Sequence, residues 1–106
     1  WMADFGEYLP TDVRLASGDD PMTAHNRWPV LWAEVNARAL KSRGRWGDAL
    51  FFMRAGFSGV QAHCPLLWAG DQSVDFSRHD GINTVITAAL SAGLVGNAYS
   101  HSDCGG

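Results

Sequence analysis

Two aspartates stand out because each follows a short apolar run and lies next to a glycine and an aromatic ring in sequence. Asp4 follows residues 1–3, and Asp71 follows the apolar residues 66–69 and Gly70. An apolar run that ends in a carboxylate and a glycine is typical of a buried strand whose carboxyl end opens into a polar loop, where parallel α/β proteins place their chemistry. Two such strand ends would direct both aspartates into one pocket.

A pair of carboxylates that is distant in sequence and adjacent in space is suited to cleaving a glycosidic bond. One carboxylate attacks or stabilises the oxocarbenium-like sugar, and the other protonates the leaving oxygen. Trp1, Phe5 and Trp68 lie close to the two aspartates in sequence, and aromatic rings can pack against the C–H face of a pyranose. The spacing alone leaves open that Asp4 and Asp71 are a turn residue and a helix cap.

The elements that would position these carboxylates are four apolar runs of strand length, which alternate with helical patterns. The predicted strands are residues 1–3, 49–53, 64–68 and 98–101. The charged or titratable residues at their carboxyl ends are Asp4, Arg54, Asp71, His101 and Asp103. Because every predicted strand ends in such a residue, one face of one sheet would carry the chemistry.

The alternation of strands and helices predicts an α/β fold with a parallel sheet and right-handed crossover helices. An open doubly wound sheet concentrates function at one switch point, whereas four contributing strand ends favour a (β/α)8 TIM barrel. Four strands are half of such a barrel. We therefore expect residues 1–106 to be a fragment of a single catalytic barrel domain, truncated at both ends.

Two amphipathic helices are predicted between the strands. The first has Asn26 as its N-cap, Pro29 in its first turn and Gly44 at its end. The second is capped by Asp80 and ends at residues 96–97. A long loop of residues 4–20, rich in turn formers, precedes the first helix, and loops of that length in compact domains are usually functional.

Composition excludes several classes of partner. The formal net charge is −3 with eight Lys plus Arg, so we expect no nucleic-acid surface. The most apolar long stretch, residues 82–95, is interrupted by polar residues and is shorter than the roughly 20 residues that a membrane span requires, so no membrane insertion is expected. The oligomeric state is left undetermined.

The sequence predicts neither a metal nor a cofactor. The four histidines show no paired spacing typical of metal ligands, and the two cysteines are too far apart for a zinc knuckle. The histidines are His25, His63, His79 and His101.

Five segments resemble family 31 of the glycoside hydrolases. Residues 1–10 resemble its nucleophile segment and residues 68–72 its acid/base segment. Residues 52–54 resemble the strand that carries the active-site arginine of the family, residues 25–26 resemble a His-Asn pair at the start of a barrel helix, and residues 101–106 resemble the next strand end. Together they cover the whole chain as strands four to seven of the barrel.

The motifs are most similar to those of the sulfoquinovosidase branch. The first motif reads Asp4-Phe5-Gly6-Glu7, where the common α-glucosidase motif reads Asp-Met-Asn-Glu. This resemblance implies a retaining glycosidase that cleaves α-glycosidic bonds, with α-sulfoquinovosides derived from sulfolipid as substrates. The partner would be a small-molecule glycoside. The compartment stays undetermined, with the resemblance favouring the cytoplasm slightly.

The resemblance also implies roles for individual residues. Asp4 would be the nucleophile, which must be ionised, and a nearby cation such as Arg54 favours that state. Asp71 would be the general acid and then the general base. Five residues would contact the sugar or support the site: Glu7, Arg54, Trp68, His101 and Asp103.

Alternatives stay open at this point. The residues by which the branch holds a sulfonate lie outside this chain, so a general family 31 α-glucosidase or α-xylosidase is an alternative. A non-catalytic sugar-binding barrel is an alternative of another class. Glu7 could be a solvated loop residue, Arg54 a structural ion pair and Asp103 a turn residue, while a structural role is favoured for His25.

Overall fold

The computed structural model describes residues 1–105 and contains two helices, one 3-10 turn and three short strands. In chain order they are α1 (Pro21–Ser42), β1 (Phe52–Met53), the 3-10 turn Val60–Ala62, β2 (Leu66–Trp68), α2 (Ile82–Leu94) and β3 (Tyr99–His101). The strands form one parallel sheet in the order β1-β2-β3. A parallel sheet with crossover helices was predicted, and this part of the prediction is confirmed.

The start of the chain adds a fourth parallel segment beside β1. Met2 forms a parallel bridge to Phe52, and the Ala3 amide donates to the Phe52 carbonyl at 2.9 Å. The Phe52 amide donates in turn to the Trp1 carbonyl at 3.1 Å. Four parallel segments therefore lie side by side in sequence order, as successive strands of a barrel do.

The register of the sheet separates two faces. Phe52 pairs with Leu66 and Leu66 with Tyr99, so these three side chains share one face, because side chains alternate along a strand. Trp68 and His101, which pair with each other, lie two residues further along on the same face. We call this the site face. The opposite face packs against α1 at the β1 side of the sheet, while α2 contacts β3.

The core lies between the sheet and α1. Small residues of α1 allow the helix to approach the sheet closely, and their partners are large residues from β1 and from the segment that follows it. The buried cluster consists of Ala3, Ala33, Ala37, Leu40, Phe51, Met53, Val60 and Cys64. Burial raises the pKa of the Cys64 thiol, which behaves as a small apolar residue here.

Helix α1 begins earlier than the sequence analysis predicted. Its N-cap is Asp20, not Asn26, and the Asp20 carboxylate accepts from the Thr23 amide at 3.0 Å. The hydrogen bonds from the Thr23 hydroxyl and amide lower the pKa of Asp20. Pro21 supplies the first helical residue, where a missing N–H costs nothing, and Pro29 consequently lies in the helix interior. The predicted end is confirmed, since Gly44 follows the helix at a φ of +63°.

The predicted cap of α2 is also wrong. Gly81 is the N-cap, and the Asp80 carboxylate instead accepts from the amide and hydroxyl of Ser73, at 3.2 and 3.0 Å. The predicted stop at residues 96–97 is confirmed, because Gly96 has a φ of +90° and the Asn97 amide bonds the Ala92 carbonyl. Within residues 1–105, neither helix is long and apolar enough to cross a membrane.

The strands are shorter than predicted at their amino ends. β2 starts at Leu66 because Pro65 has no amide to donate and the Cys64 amide bonds back to the Val60 carbonyl. β1 starts at Phe52 and β3 at Tyr99. The carboxyl ends match the prediction, and these are the ends that position the site.

Candidate active site

Arg54 follows β1 directly and joins two carboxylates of the preceding loop. Its Nε lies 3.2 Å from Asp4 Oδ1 and donates to Glu7 Oε1 at 2.8 Å, and its Nη2 donates to the same Glu7 oxygen. Since Met2 is in register with Phe52, Asp4 and Arg54 both lie two residues further along on the site face. The hydrogen bond that Arg54 donates to Glu7, followed by the negative charges of Glu7 and Asp4, raises the pKa of Arg54.

The backbone after Asp4 also orients its carboxylate. The Phe5 amide donates to Asp4 Oδ1 at 2.9 Å, the same oxygen that faces Arg54. Phe5 adopts a φ of +63°, a left-handed conformation that costs a non-glycine residue about 1–2 kcal/mol. Strain of this kind persists where the surrounding structure enforces it, which is common at functional sites. Both bonds to Asp4 use Oδ1.

Two aromatic side chains of the same loop cover the Arg54 guanidinium. Its central carbon lies 5.0 Å from the Phe5 ring centre and 5.8 Å from that of Tyr8, while the two rings meet edge to face at 5.3 Å. Arg54 Nη2 also donates to the Tyr8 hydroxyl at 3.4 Å. Cation–π contacts therefore add to the ion pairs that fix Arg54. Tyr8 was not singled out by the sequence analysis as a site residue.

Gly6 lets this loop lie against the core. A Cβ at Gly6 would be 3.3 Å from Met53 Cε and 3.4 Å from Trp32 Cδ1, which is tighter than almost all real Cβ contacts. The loop that carries Asp4 and Glu7 is thus packed directly on β1 and α1. A side chain at this position would require Met53, Trp32 or the loop to shift.

The end of β2 lies beside Arg54. Gly70 has a φ of +80°. A Cβ built on it would lie 3.6 Å from Arg54 Cδ. Asp71 follows with an exposed side chain. The stem of Arg54 thus lies beside the turn that carries Asp71, while its guanidinium binds Asp4 and Glu7. Arg54 links the two strand ends on which the predicted catalytic pair lies.

Trp68 and His101 lie on the site face below these groups. The Phe52 ring meets the Trp68 ring at 5.5 Å and the His101 ring at 4.9 Å, both edge to face. Trp68 is 3% exposed, and its indole Nε1 is buried without a hydrogen-bond partner among the described residues. His101 Nδ1 lies 3.1 Å from the Ser102 carbonyl oxygen.

Asp103 lies apart from the Arg54 cluster. It is half-buried after β3 and lines a cavity of about 260 Å³ together with Gln72 and Ser102. His25 has the structural role that was favoured, since its Nδ1 lies 2.6 Å from the Leu9 carbonyl oxygen. Within residues 1–105, no three His, Cys, Asp or Glu side chains are close enough to form a metal site.

Comparison with known proteins identifies the family. The sequence matches the TIM-barrel domain of the glycosyl hydrolases family 31 over residues 1–106. It is 72% identical to a sulfoquinovosidase of Agrobacterium fabrum and 53% identical to a sulfoquinovosidase of Escherichia coli, in both cases over all of this chain and 16% of the relative. An α-xylosidase of Emericella nidulans is 30% identical over 97% of this chain and 13% of the relative.

A solved structure agrees with these matches. A GH31 family sulfoquinovosidase from E. rectale, in complex with the aza-sugar inhibitor IFGSQ, superposes with a TM-score of 0.96 at 62% identity, over 100% of this chain and 16% of that one. The chain thus spans about one sixth of the length of the sulfoquinovosidases it matches. It belongs to glycoside hydrolase family 31 and forms part of the TIM-barrel domain of that family.

Proposed function

We propose that residues 1–106 are part of a single catalytic (β/α)8 barrel domain, and that the whole protein is a retaining glycosidase that hydrolyses α-sulfoquinovosides. The observation that carries the proposal is the position of Arg54, which pairs with Asp4 and lies beside Gly70, the residue that precedes Asp71. Two carboxylates on parallel strand ends that lie on either side of the strand carrying Arg54 suit a double displacement.

In this proposal Asp4 is the nucleophile. Its Oδ1 is engaged by the Phe5 amide and by Arg54, so Oδ2 is the oxygen that attacks the anomeric carbon. The C–O bond to the leaving group breaks as Asp71 gives its proton to the departing oxygen. Asp71, now a carboxylate, then takes a proton from the water that displaces Asp4, which leaves Asp4 ionised and Asp71 protonated as at the start. Two inversions at the anomeric carbon leave the α configuration unchanged.

Two buried atoms without partners are proposed to bind sugar hydroxyls. Glu7 Oε2 is an acceptor and Trp68 Nε1 is a donor, and neither is paired among the described residues. A buried polar atom without a partner is costly, and a hydroxyl can both donate and accept, so a sugar would satisfy both. We propose that His101 borders the sugar beside Trp68, and that Asp103 supports the neighbouring loop.

The choice of sulfoquinovosides over other α-glycosides rests on the relatives. Identity is 72% and 53% to two sulfoquinovosidases but 30% to an α-xylosidase, over nearly the same residues. The test compares an aryl α-sulfoquinovoside, an aryl α-glucoside and an aryl α-xyloside with the full-length protein. We expect kcat/KM to favour the sulfonated substrate by on the order of 10⁴. A site that pairs its polar groups with a sulfonate leaves those groups without a partner when a hydroxyl takes its place.

The results would also distinguish the alternatives. Equal efficiency on the sulfonated and plain glucosides would favour a general α-glucosidase, and a preference for the xyloside would favour an α-xylosidase. Turnover of none of the three, combined with binding of the sugar, would favour a non-catalytic sugar-binding barrel.

The two aspartates are tested by replacement in the same protein. Asp4→Ala should abolish hydrolysis of every substrate, because no attacking group remains. Asp71→Ala should affect alkyl glycosides far more than activated aryl glycosides, because protonation matters when the leaving oxygen is basic. Near wild-type activity of Asp4→Ala would refute the mechanism.

A further inference from the structure

We propose that Gln72 is a positioning residue, whose carboxamide holds the turn of residues 69–72 and thereby orients the Asp71 carboxylate. The inference rests on the proposed function, in which Asp71 exchanges protons with the leaving group and with water. It adds a residue to the site that does not itself touch the reacting atoms.

The contact is a short hydrogen bond across the turn. Gln72 Nε2 donates to the Ala69 carbonyl at 2.7 Å, and Asp71 lies between the two bonded residues. The orientation of the amide is determined by chemistry, because a carbonyl oxygen only accepts and so must face the NH₂ group. Among the described residues, this is the one side-chain hydrogen bond that closes the turn.

Both ends of the turn are fixed by other hydrogen bonds. On the upstream side the Ala69 amide donates to the His101 carbonyl of β3 at 2.9 Å. On the downstream side the Ser73 amide donates to the Asp80 carbonyl at 3.0 Å, and the Asp80 carboxylate binds the Ser73 hydroxyl. The segment that remains free to rotate is therefore 70–72, which includes Gly70 at a φ of +80°. The Gln72 bond restrains this segment.

The carbonyl oxygen of the Gln72 side chain is shielded from solvent, so hydration does not explain a glutamine at this position. Its Oε1 is buried without a hydrogen-bond partner in the described part of the chain. An apolar side chain at this position would avoid leaving a buried acceptor unpaired. A glutamine at this position is therefore best explained by what its Nε2 does to the turn.

The consequence for catalysis concerns the proton transfers and not the binding of the sugar. A general acid must come within about 2.6–3.2 Å of the oxygen that it protonates. A misplacement of about 1 Å costs roughly 100-fold in rate. Loosening the turn should thus affect the steps that need Asp71 and leave the affinity for the sugar largely unchanged.

The first experiment uses Gln72→Met in the full-length protein, because methionine fills a similar volume without a donor. We expect kcat/KM on an alkyl α-sulfoquinovoside to fall at least about 10-fold more than on the nitrophenyl glycoside, because the alkyl leaving group depends more on protonation. In Gln72→Glu, the carboxylate cannot donate to the Ala69 carbonyl but the protonated carboxyl can. Its activity relative to Gln72→Met should therefore rise as the pH falls.

The matched control is Gln61→Met. Gln61 Nε2 makes the same kind of bond, to the Val95 carbonyl at 2.9 Å, beyond the end of α2. This variant should affect alkyl and aryl substrates equally. Equal losses on both substrates for Gln72→Met, with no recovery of Gln72→Glu at low pH, would overturn the inference.

A second measurement does not depend on activity. Hydrogen exchange followed by mass spectrometry should show faster exchange at the hydrogen-bonded Ala69 and Ser73 amides, which bound the turn, in Gln72→Met than in wild type or in Gln61→Met. Unchanged exchange there would overturn the role of Gln72 in the turn. If the wild-type protein cleaved no glycoside, the proposed function would fail, while this measurement would still decide whether Gln72 holds the turn.

Discussion

At the scale of residues, the site depends on how fully Arg54 is held. Its guanidinium contacts Asp4, Glu7 and Tyr8, and its stem lies beside Gly70. Each contact restricts a side chain that is otherwise long and flexible. The carboxylate oxygen that Arg54 faces is thereby kept in one orientation relative to the sheet.

Replacing Arg54 by lysine keeps the charge but not this geometry. One ammonium group cannot reproduce the Nε and Nη2 bonds to Glu7 while facing Asp4. Arg54→Lys in the full-length protein should lower kcat/KM by about 10- to 100-fold, the loss expected for charge-assisted hydrogen bonds of about 1.5–3 kcal/mol. Steady-state kinetics measure this effect. A wild-type kcat/KM in Arg54→Lys would show that the positive charge of Arg54 matters and that the geometry of its guanidinium does not.

Gly6 is expected to be intolerant of any side chain. Gly6→Ala places a Cβ within 3.4 Å of Met53 and Trp32, so these side chains or the loop must shift by a few tenths of an ångström. We expect a loss of about 1–3 kcal/mol in stability, the usual cost of overpacking, together with reduced activity. Thermal melting and kinetics measure both effects. The double variant Gly6→Ala, Trp32→Phe should recover part of the loss, and strictly additive effects would contradict the proposed contact.

At the scale of elements, the sequence predicted the strand ends better than the helix starts. The carboxyl ends of β2 and β1 were predictable because buried strand residues must be apolar. The apolar run therefore stops where each strand leaves the core, shortly before Asp71 and directly before Arg54. Helix starts depend on which of several polar residues folds back on the backbone. Asp20 and Asp80 are both good caps by type, yet Asp20 caps α1 while Asp80 binds Ser73.

Part of the candidate site was predictable for the same reason. The register of parallel strands brings Asp4 next to Arg54, and this follows from two apolar runs. The Gln72–Ala69 bond and the left-handed Phe5 were not predictable, because they depend on the local path of the backbone. A glutamine directly after Asp71 was visible in sequence, but nothing in the pattern indicated where its amide points.

The loop between β2 and α2 depends on Gly81. A Cβ there would lie 2.4 Å from the Ser77 nitrogen and 2.7 Å from the Asp75 carbonyl oxygen, both backbone atoms that cannot move aside cheaply. Gly81→Ala should therefore lower the melting temperature and the soluble yield of the full-length protein, with a cost at or above about 3 kcal/mol.

Gly93 supplies the matched control for this prediction. A Cβ at Gly93, in the last turn of α2, would meet no atom within 4 Å. Gly93→Ala should be neutral or stabilising by up to about 1 kcal/mol, because alanine favours helix. A similar loss in both variants would show that the tight packing around Gly81 does not determine the effect.

At the scale of the whole molecule, residues 1–106 leave much apolar surface exposed. The exposed large apolar residues of α2 recur every four residues in the sequence, from Ile82 to Leu94, and no residue of this helix is buried. The most exposed are Ile86, Leu90 and Leu94, at 60%, 71% and 90%. β3 has no strand on its outer side among the described residues, so its backbone is open to pairing with another chain.

The isolated chain should therefore aggregate when it is expressed alone. The net free energy of folding of a domain is small, and so much exposed apolar surface removes most of it. Size-exclusion chromatography and a thermal melt are the measurements. A monomeric elution volume together with a cooperative transition would contradict the expectation.

The pairing of the first residues with β1 also determines when the site can form during synthesis. Glu7 and Arg54 are separated by 47 residues. At about 5–20 residues per second, the ribosome needs roughly 2–10 s to make that stretch. During this interval Arg54 and β1 are not yet made, so the nascent loop that carries Asp4 lacks the ion pair and the strand that hold it in the fold, which makes it a segment for chaperones to shield.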